Sequence, residues 1–75
     1  MIVTLNRTKL RARRRERELT QEELAEESGL SDRYIRSLES ETAQPSASAL
    51  YRLSRALEVP MDELITEIFD ENDKS

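Results

Sequence analysis

Apolar side chains recur along most of the chain at the spacing of helices. Leu50, Leu53 and Leu57, for example, fall on one face of a 3.6-residue repeat. The repeat predicts five helices, at about residues 7–18, 21–28, 32–40, 47–57 and 61–69. The chain of 75 residues has one glycine and two prolines, the residue types that most disfavour helix interiors. We therefore expect a single compact all-α domain with five helices.

The two ends of the chain depart from this repeat. Residues 1–5, MIVTL, are rich in β-branched side chains and predict either a disordered start or a short strand. Such a strand would need a partner, and apolar residues near the other end could supply one, within a subunit or across a dimer. Residues 70–75, DENDKS, are polar and are expected to fray. The Met at position 1 and the charged end lead us to expect a complete chain.

Residues 20–39, TQEELAEESGLSDRYIRSLE, predict two short helices joined by a sharp turn. Thr20 and Glu23 have the spacing of a capping box, and Ser31 precedes the second helix as its N-cap. Gly29 lies between the helices, where the turn needs a residue that tolerates positive φ. Helices joined so tightly cross at a large angle, and one of them then projects from the body. The pattern predicts a helix-turn-helix whose second helix contacts DNA.

Charge is distributed unevenly along the chain. The net charge of −4 by itself counts against nucleic-acid binding. Residues 1–17 nevertheless hold seven basic side chains and one acid, whereas residues 18–30 hold five acids and no base. Residues 31–57 hold four arginines and three acids, and residues 58–75 hold seven acids and one lysine. Because a local basic surface matters more for phosphate binding than the net charge, the chain is still a candidate DNA-binding protein.

The residue types that the chain lacks narrow its possible functions. It has no cysteine and no histidine, the residues of most zinc sites and of most general acid–base catalysis at neutral pH. We therefore expect neither an enzyme nor a bound metal or cofactor. No apolar run approaches the roughly 18 residues of a membrane span, and we expect no signal peptide before the domain. We expect a cytoplasmic protein that does not bind a membrane.

A specific register of residues extends over about residues 7–65. It consists of Leu10, Arg14, Leu19-Thr20-Gln21, Glu23-Leu24-Ala25, Gly29-Leu30-Ser31, Ile35, Leu38-Glu39, Pro45-Ser46, Leu53, Ala56-Leu57 and Val59. This register resembles the Xre/Cro family of helix-turn-helix regulators, which has the fold of the lambdoid phage repressors. The resemblance implies a compact five-helix domain that binds operator DNA, usually as a dimer on a two-fold site.

The candidate DNA-contacting residues lie on the third predicted helix and around it. Arginine presents two parallel donors to the O6 and N7 atoms of guanine, so Arg33 and Arg36 are the best candidates for base contacts. Gln21, at the positive end of the second helix, is expected to contact a phosphate. Asp32 either accepts from a cytosine amine or stabilises its own helix, and Tyr34 either contacts DNA or packs on the body. The full candidate set is Gln21, Ser31, Asp32, Arg33, Tyr34, Arg36, Ser37, Thr42, Gln44 and Ser46.

The resemblance also implies an ion pair and exposes one departure. The family often pairs an arginine of the first helix with the glutamate that ends the third, here Arg14 with Glu39. The family commonly has a glycine two residues later, where this chain has Glu41. Either the loop takes another path, or Glu41 adopts a positive φ at a cost of roughly 1 kcal/mol.

The fifth predicted helix is more apolar than a surface helix needs to be. We expect Leu64 to close the core, and we expect a homodimer interface formed by Met61, Ile65, Ile68 and Phe69. The leading function is a sequence-specific regulator of transcription, a repressor that binds double-stranded DNA as a dimer. The alternative is an antitoxin-like module that binds a protein partner through the acidic C-terminal region.

Overall fold

The computed structural model describes residues 2–41 and 43–68. In chain order the elements are β1 (Ile2–Leu5), α1 (Arg7–Glu16), α2 (Gln21–Ser28), α3 (Asp32–Ser40), α4 (Ala47–Leu57), a 3₁₀ turn (Met61–Leu64) and β2 (Ile65–Ile68). The limits of α2, α3 and α4 coincide with those predicted. Three predictions, those for Thr42, Phe69 and the frayed tail at 70–75, lie outside the described residues.

Each α-helix begins at a side chain that caps its N-terminus. The caps are Asn6, Thr20, Ser31 and Ser46, and each accepts a hydrogen bond from the backbone N–H three residues later. At α2 the capping box is complete, because the Glu23 carboxylate also accepts from the Thr20 N–H at 2.9 Å. Short-range sequence therefore determines where the helices start.

Helices α2 and α4 end at a residue in the left-handed conformation, and α1 is followed by one just after its C-cap. Helix α1 stops two residues before the predicted limit because Glu18 has a φ of 55°, and the Leu19 N–H returns to the Arg14 carbonyl at 3.1 Å. Gly29, with a φ of 74°, ends α2, and Glu58, with a φ of 58°, ends α4. A Cβ at Gly29 would also lie 3.1 Å from Nη1 of an arginine of α4. The turn therefore favours glycine for two reasons, the positive φ and this close approach.

Glu41 does not adopt the conformation of the family glycine. Its φ and ψ are −120° and 174°, which is extended backbone that any residue adopts. Its N–H still caps α3 by donating to the Ser37 carbonyl. The first of the two alternatives therefore holds: the loop takes another path, and no strain arises at Glu41.

The fifth predicted helix, at 61–69, is wrong. Met61–Leu64 forms one 3₁₀ turn, and Ile65–Ile68 forms β2, which pairs antiparallel with β1 in the register Ile2↔Ile68 to Leu5↔Ile65. A short apolar run with β-branched residues suits either element, and the N-terminal strand decides the matter by offering hydrogen-bond partners. The strand predicted at the N-terminus thus exists and pairs within the subunit. Across residues 2–41 and 43–68 the fold is mostly helical, with four α-helices and a two-stranded ribbon.

One apolar core holds these elements together. Its fully buried side chains are Leu10, Leu24, Ile35, Leu38, Leu53, Leu57 and Leu64, which come from all four helices and the 3₁₀ turn. The prediction that Leu64 closes the core is confirmed. Burying a leucine side chain contributes about 1.5–3 kcal/mol, so this set fixes the crossing of α2 and α3. In the described part of the chain, no helix has the length and apolarity needed to cross a membrane.

Candidate nucleic-acid interface

Helix α3 has one buried face and one exposed face. Ile35 and Leu38 are buried completely, so the opposite side of the helix is turned outwards. Arg33 and Arg36 are both exposed on that outward side. Tyr34 is half-buried and packs against the core, as one of the two alternatives for it expects. The sequence pattern therefore placed the two arginines correctly.

Arg36 lies between two carboxylates. Its Nη2 is 3.3 Å from Oε1 of Glu22 on α2 and 3.4 Å from Oδ2 of Asp32, one turn earlier on α3. We call these three residues the Arg36 cluster. Asp32 therefore pairs with a neighbour on its own helix. The carboxylate of Glu22 thus reaches from α2 across to α3.

A second arginine–carboxylate contact lies at the C-terminal end of α3. Arg14 donates to both carboxylate oxygens of Glu39, from Nε at 2.7 Å and from Nη2 at 3.0 Å. Both side chains are buried. We call this pair the Arg14 cluster. It joins α1 to the end of α3, as the resemblance implied, and it fixes α3 on the body of the domain.

Further donors complete the hydrogen bonding of the Arg14 cluster. Gln21 donates from Nε2 to Glu39 at 3.3 Å, Arg11 donates to the Glu39 carbonyl at 2.8 Å, and Arg14 donates from Nη1 to the Leu19 carbonyl at 2.8 Å. No buried side-chain polar atom in the described residues lacks a partner. Gln21 is the first residue of α2, and its amide is one of the donors to Glu39.

The loop after α3 is tied to the ribbon. Oε1 of Gln44 accepts from the Leu5 N–H at 2.7 Å, so at least this end of the Gln44 amide has a structural role. Ser46 caps α4 and Ser31 caps α3, and each hydroxyl accepts a backbone N–H in doing so. Ser37 donates to a Glu41 carboxylate oxygen at 2.9 Å. These four candidate DNA-contacting residues thus each have a hydrogen-bond partner within the chain.

Sequence reasoning missed two charged residues at this surface. Glu22 looks like the three other acids of α2, and only the crossing of α2 over α3 distinguishes it. Arg11 likewise looks like its neighbours in α1, yet it lies against the end of α3. Residue spacing within one helix carries no signal for either contact, because both depend on how two helices cross.

Two arginines at the C-terminal end of α1 and just after it, Arg13 and Arg17, also pair with carboxylates. The Glu16 carboxylate accepts a hydrogen bond from Arg13 at 2.6 Å and raises the pKa of Arg13 above its ordinary value. Arg17 bridges Glu27 of α2 and Glu58 after α4, and it donates to the Ala56 carbonyl. These pairs hold helix ends together. Within residues 2–41 and 43–68, no cluster of three or more acids could hold a metal ion.

Similar proteins were found by sequence and by structure. A family model for helix-turn-helix proteins matches residues 10–64. An uncharacterized HTH-type transcriptional regulator, y4dJ of Sinorhizobium fredii (strain NBRC 101917 / NGR234), is 47% identical over 53 residues, which are 71% of this chain and 69% of the relative. The family match covers more than half of the chain, and the identity of this relative is high.

Two solved structures have the same fold. The restriction-modification controller protein C.AhdI from Aeromonas hydrophila superposes with a TM-score of 0.72 and 32% identity, covering 76% of this chain and 86% of that chain. The DNA-binding domain of the P22 C2 repressor superposes with a TM-score of 0.72 and 31% identity, covering 83% of this chain and 82% of that chain. The chain belongs to the helix-turn-helix family, and the resemblance stated from its sequence is confirmed.

Proposed function

We propose that the protein is a sequence-specific DNA-binding regulator of transcription, a repressor that acts in the cytoplasm with α3 in the major groove of its operator. The observation that carries this proposal is the pair of exposed arginines, Arg33 and Arg36, on a helix whose other face is buried. The relatives support it, because those named above are a transcriptional regulator, a controller protein and a repressor. They favour this function over the antitoxin-like alternative.

The residues around α3 divide into base contacts and phosphate contacts. The guanidinium groups of Arg33 and Arg36 can each donate two parallel hydrogen bonds to guanine O6 and N7. The amide of Gln21 lies at the positive end of α2, where backbone N–H groups and the helix dipole favour a phosphate. Phosphate contacts fix the position of α3, and the arginines then determine which sequence is bound.

Selection of bound sequences from random duplex DNA tests the proposal. We expect one enriched sequence with two-fold symmetry. The matched comparison is between Arg33→Ala/Arg36→Ala and Arg52→Ala/Arg55→Ala, because both variants lose two exposed arginines but only the first loses them from α3. We expect the α3 variant to lose the enrichment and the α4 variant to keep it. Salt-sensitive binding by the parent without sequence preference would contradict the proposal.

We also propose that the protein binds as a homodimer through the ribbon. Ile2 and Ile68 are cross-strand partners, and they are 55% and 50% exposed at the open end of the ribbon. Val3, next to them, is 49% exposed, and Met61 and Ile65 are half-buried. A second copy of the chain would cover these apolar side chains and would double the number of base pairs contacted.

Sedimentation of the parent and of Ile68→Asp at micromolar concentration tests the dimer. We expect a dimer for the parent and a monomer for Ile68→Asp, because an aspartate in an apolar interface would lose its hydration without a partner. Tyr51→Asp is the matched control, because Tyr51 is 53% exposed and lies on α4 rather than on the ribbon. A monomeric parent, or a dimer that Ile68→Asp leaves intact, would contradict this interface.

A further inference from the structure

We propose that Glu22 is a positioning residue that holds Arg36 away from guanine in the free protein, so that DNA must displace it before Arg36 can contact a base. The inference rests on the proposed function, because it concerns the same α3 surface. It assigns a specific role to an acid on the neighbouring helix. Glu22 then sets how tightly a guanine is bound without contacting that guanine itself.

The two carboxylates of the Arg36 cluster converge on one nitrogen. Oε1 of Glu22 is 3.3 Å from Arg36 Nη2, and Oδ2 of Asp32 is 3.4 Å from the same atom. Nη2 carries two hydrogens, of which one is donated to Glu22, while Asp32 makes an ion-pair contact with the same nitrogen. The contact with Glu22 is a long hydrogen bond between two exposed side chains. The guanidinium is therefore held from two helices at a single atom.

A two-donor contact with guanine needs that same nitrogen. A guanidinium presents two parallel N–H groups either end-on, from Nη1 and Nη2, or side-on, from Nε and Nη2. Arg14 illustrates the side-on form here, because it contacts Glu39 through Nε and Nη2. Both forms include Nη2. A contact with O6 and N7 of guanine therefore competes with both carboxylates for Nη2, and the form that uses the hydrogen donated to Glu22 requires that bond to break.

The restraint is weak enough to be reversible. The side chains of Arg36, Glu22 and Asp32 are 55%, 73% and 46% exposed, so water screens both ion pairs. Exposed pairs of this kind change an equilibrium by roughly two- to fivefold. A guanine at the correct position can exceed that, because a two-donor base contact is stronger than an exposed pair. The cluster thus lowers affinity for the operator without blocking it.

The first test uses the free protein and needs no DNA. In ¹⁵N-labelled protein, the Nε–Hε signal of Arg36 is identified by its loss in Arg36→Ala. We expect this signal to shift and to exchange faster with water in Glu22→Gln. Glu26→Gln is the matched control, because it removes the same charge from an exposed position of the same helix. An Arg36 signal that is the same in Glu22→Gln and in the parent would overturn the proposal.

The second test measures binding to two duplexes with the parent, Glu22→Gln, Arg36→Ala and the double variant. One duplex is the sequence recovered by selection, and the other has 7-deazaguanine, which lacks N7, at every guanine. We expect Glu22→Gln to tighten binding to the first duplex about two- to fivefold more than to the second. We expect this excess to disappear when Arg36 is alanine.

The alternatives give different results in these experiments. If Glu22 only repels phosphates, Glu22→Gln will tighten binding by the same factor with and without Arg36, and the proposal is overturned. If Glu22 instead orients Arg36 for binding, Glu22→Gln will weaken binding to the guanine duplex, and the proposal is again overturned. A selection that recovers no sequence would contradict the proposed function, while the signal of Arg36 in the free protein would still decide whether Glu22 holds it.

Discussion

Two arginine–carboxylate clusters on α3 have the same chemistry and different surroundings. In the Arg14 cluster, Glu39 is 3% exposed and accepts two short hydrogen bonds from one guanidinium, at 2.7 and 3.0 Å. In the Arg36 cluster, both contacts are longer, at 3.3 and 3.4 Å, and all three side chains face water. The first cluster positions α3, and the second lies on the surface that we propose contacts DNA.

The comparison shows that burial, rather than residue type, separates a structural pair from an exchangeable one. Taking two charges out of water is costly, so a buried pair persists only when hydrogen bonds satisfy both partners. Gln21 and the Leu19 carbonyl supply those bonds to the Arg14 cluster, and Arg11 adds an ion-pair contact 3.7 Å from the Glu39 carboxylate. At the surface, water replaces either partner at little cost, and a nucleobase can do the same.

The largest expected effect is on the buried cluster. Glu39→Ala leaves the Arg14 guanidinium buried without its carboxylate, and breaking a buried pair from one side costs about 3–5 kcal/mol of the free energy of unfolding. For a domain of this size we expect the melting temperature to fall by more than about 10 °C. Thermal unfolding followed by circular dichroism measures the change.

Two variants sharpen this prediction. Glu26→Ala removes a glutamate from an exposed position and should leave the melting temperature nearly unchanged. Arg14→Met/Glu39→Leu removes both charges and should be more stable than Glu39→Ala, because no charge is left buried alone. An unchanged melting temperature in Glu39→Ala would show that the Arg14 cluster does not hold α3.

Much of the fold could be predicted from local sequence. The capping residues and Gly29 determine where α2 begins and where it ends, and both appear in the printed sequence as short-range patterns. The residues of β2 could not be assigned in the same way, because Ile65 and Ile68 suit a helix face as well as a strand. The hydrogen bonds that decide between them come from β1, whose residues lie 60 to 66 positions before their partners in the chain.

The candidate site, like the fold, could be predicted where it depends on local sequence. Arg33 and Arg36 follow from the period of α3, since Ile35 and Leu38 fix the buried face. The contact of Glu22 with Arg36 and the contact of Gln44 with Leu5 were not predictable from spacing, because each joins two elements whose relative placement depends on the whole core. Glu41 shows the same limit, since the sequence alone left both backbone conformations open.

A smaller effect is expected at Gln21, which contacts the buried Arg14 cluster and lies beside the surface that we propose binds DNA. Gln21→Ala should weaken binding to every duplex by a similar factor, about fivefold for one lost hydrogen bond, because a phosphate contact carries no base information. Binding titrations with the selected duplex and with a scrambled one measure this. If Gln21→Ala changes the ratio of the two affinities, Gln21 takes part in base recognition instead.

The smallest expected effect is on stability at the exposed cluster. Glu22→Ala should change the free energy of unfolding by less than about 0.5 kcal/mol, because both partners of the pair are exposed. Thermal unfolding beside Glu39→Ala checks the contrast. If Glu22→Ala lowered the free energy of unfolding as much as Glu39→Ala does, both clusters would be structural, which would contradict the contrast drawn between them.

The most direct test of the proposed role of α3 is the base preference of Arg36→Ala. Each base pair of the selected duplex is changed in turn, and the affinities of the parent and of Arg36→Ala are compared, with Arg55→Ala on α4 as the charge-matched control. We predict that Arg36→Ala keeps its melting temperature and loses about 1–3 kcal/mol of discrimination at one base pair in each half-site. An Arg36→Ala protein that discriminates at every position as the parent does would contradict the assignment of Arg36 as a base contact.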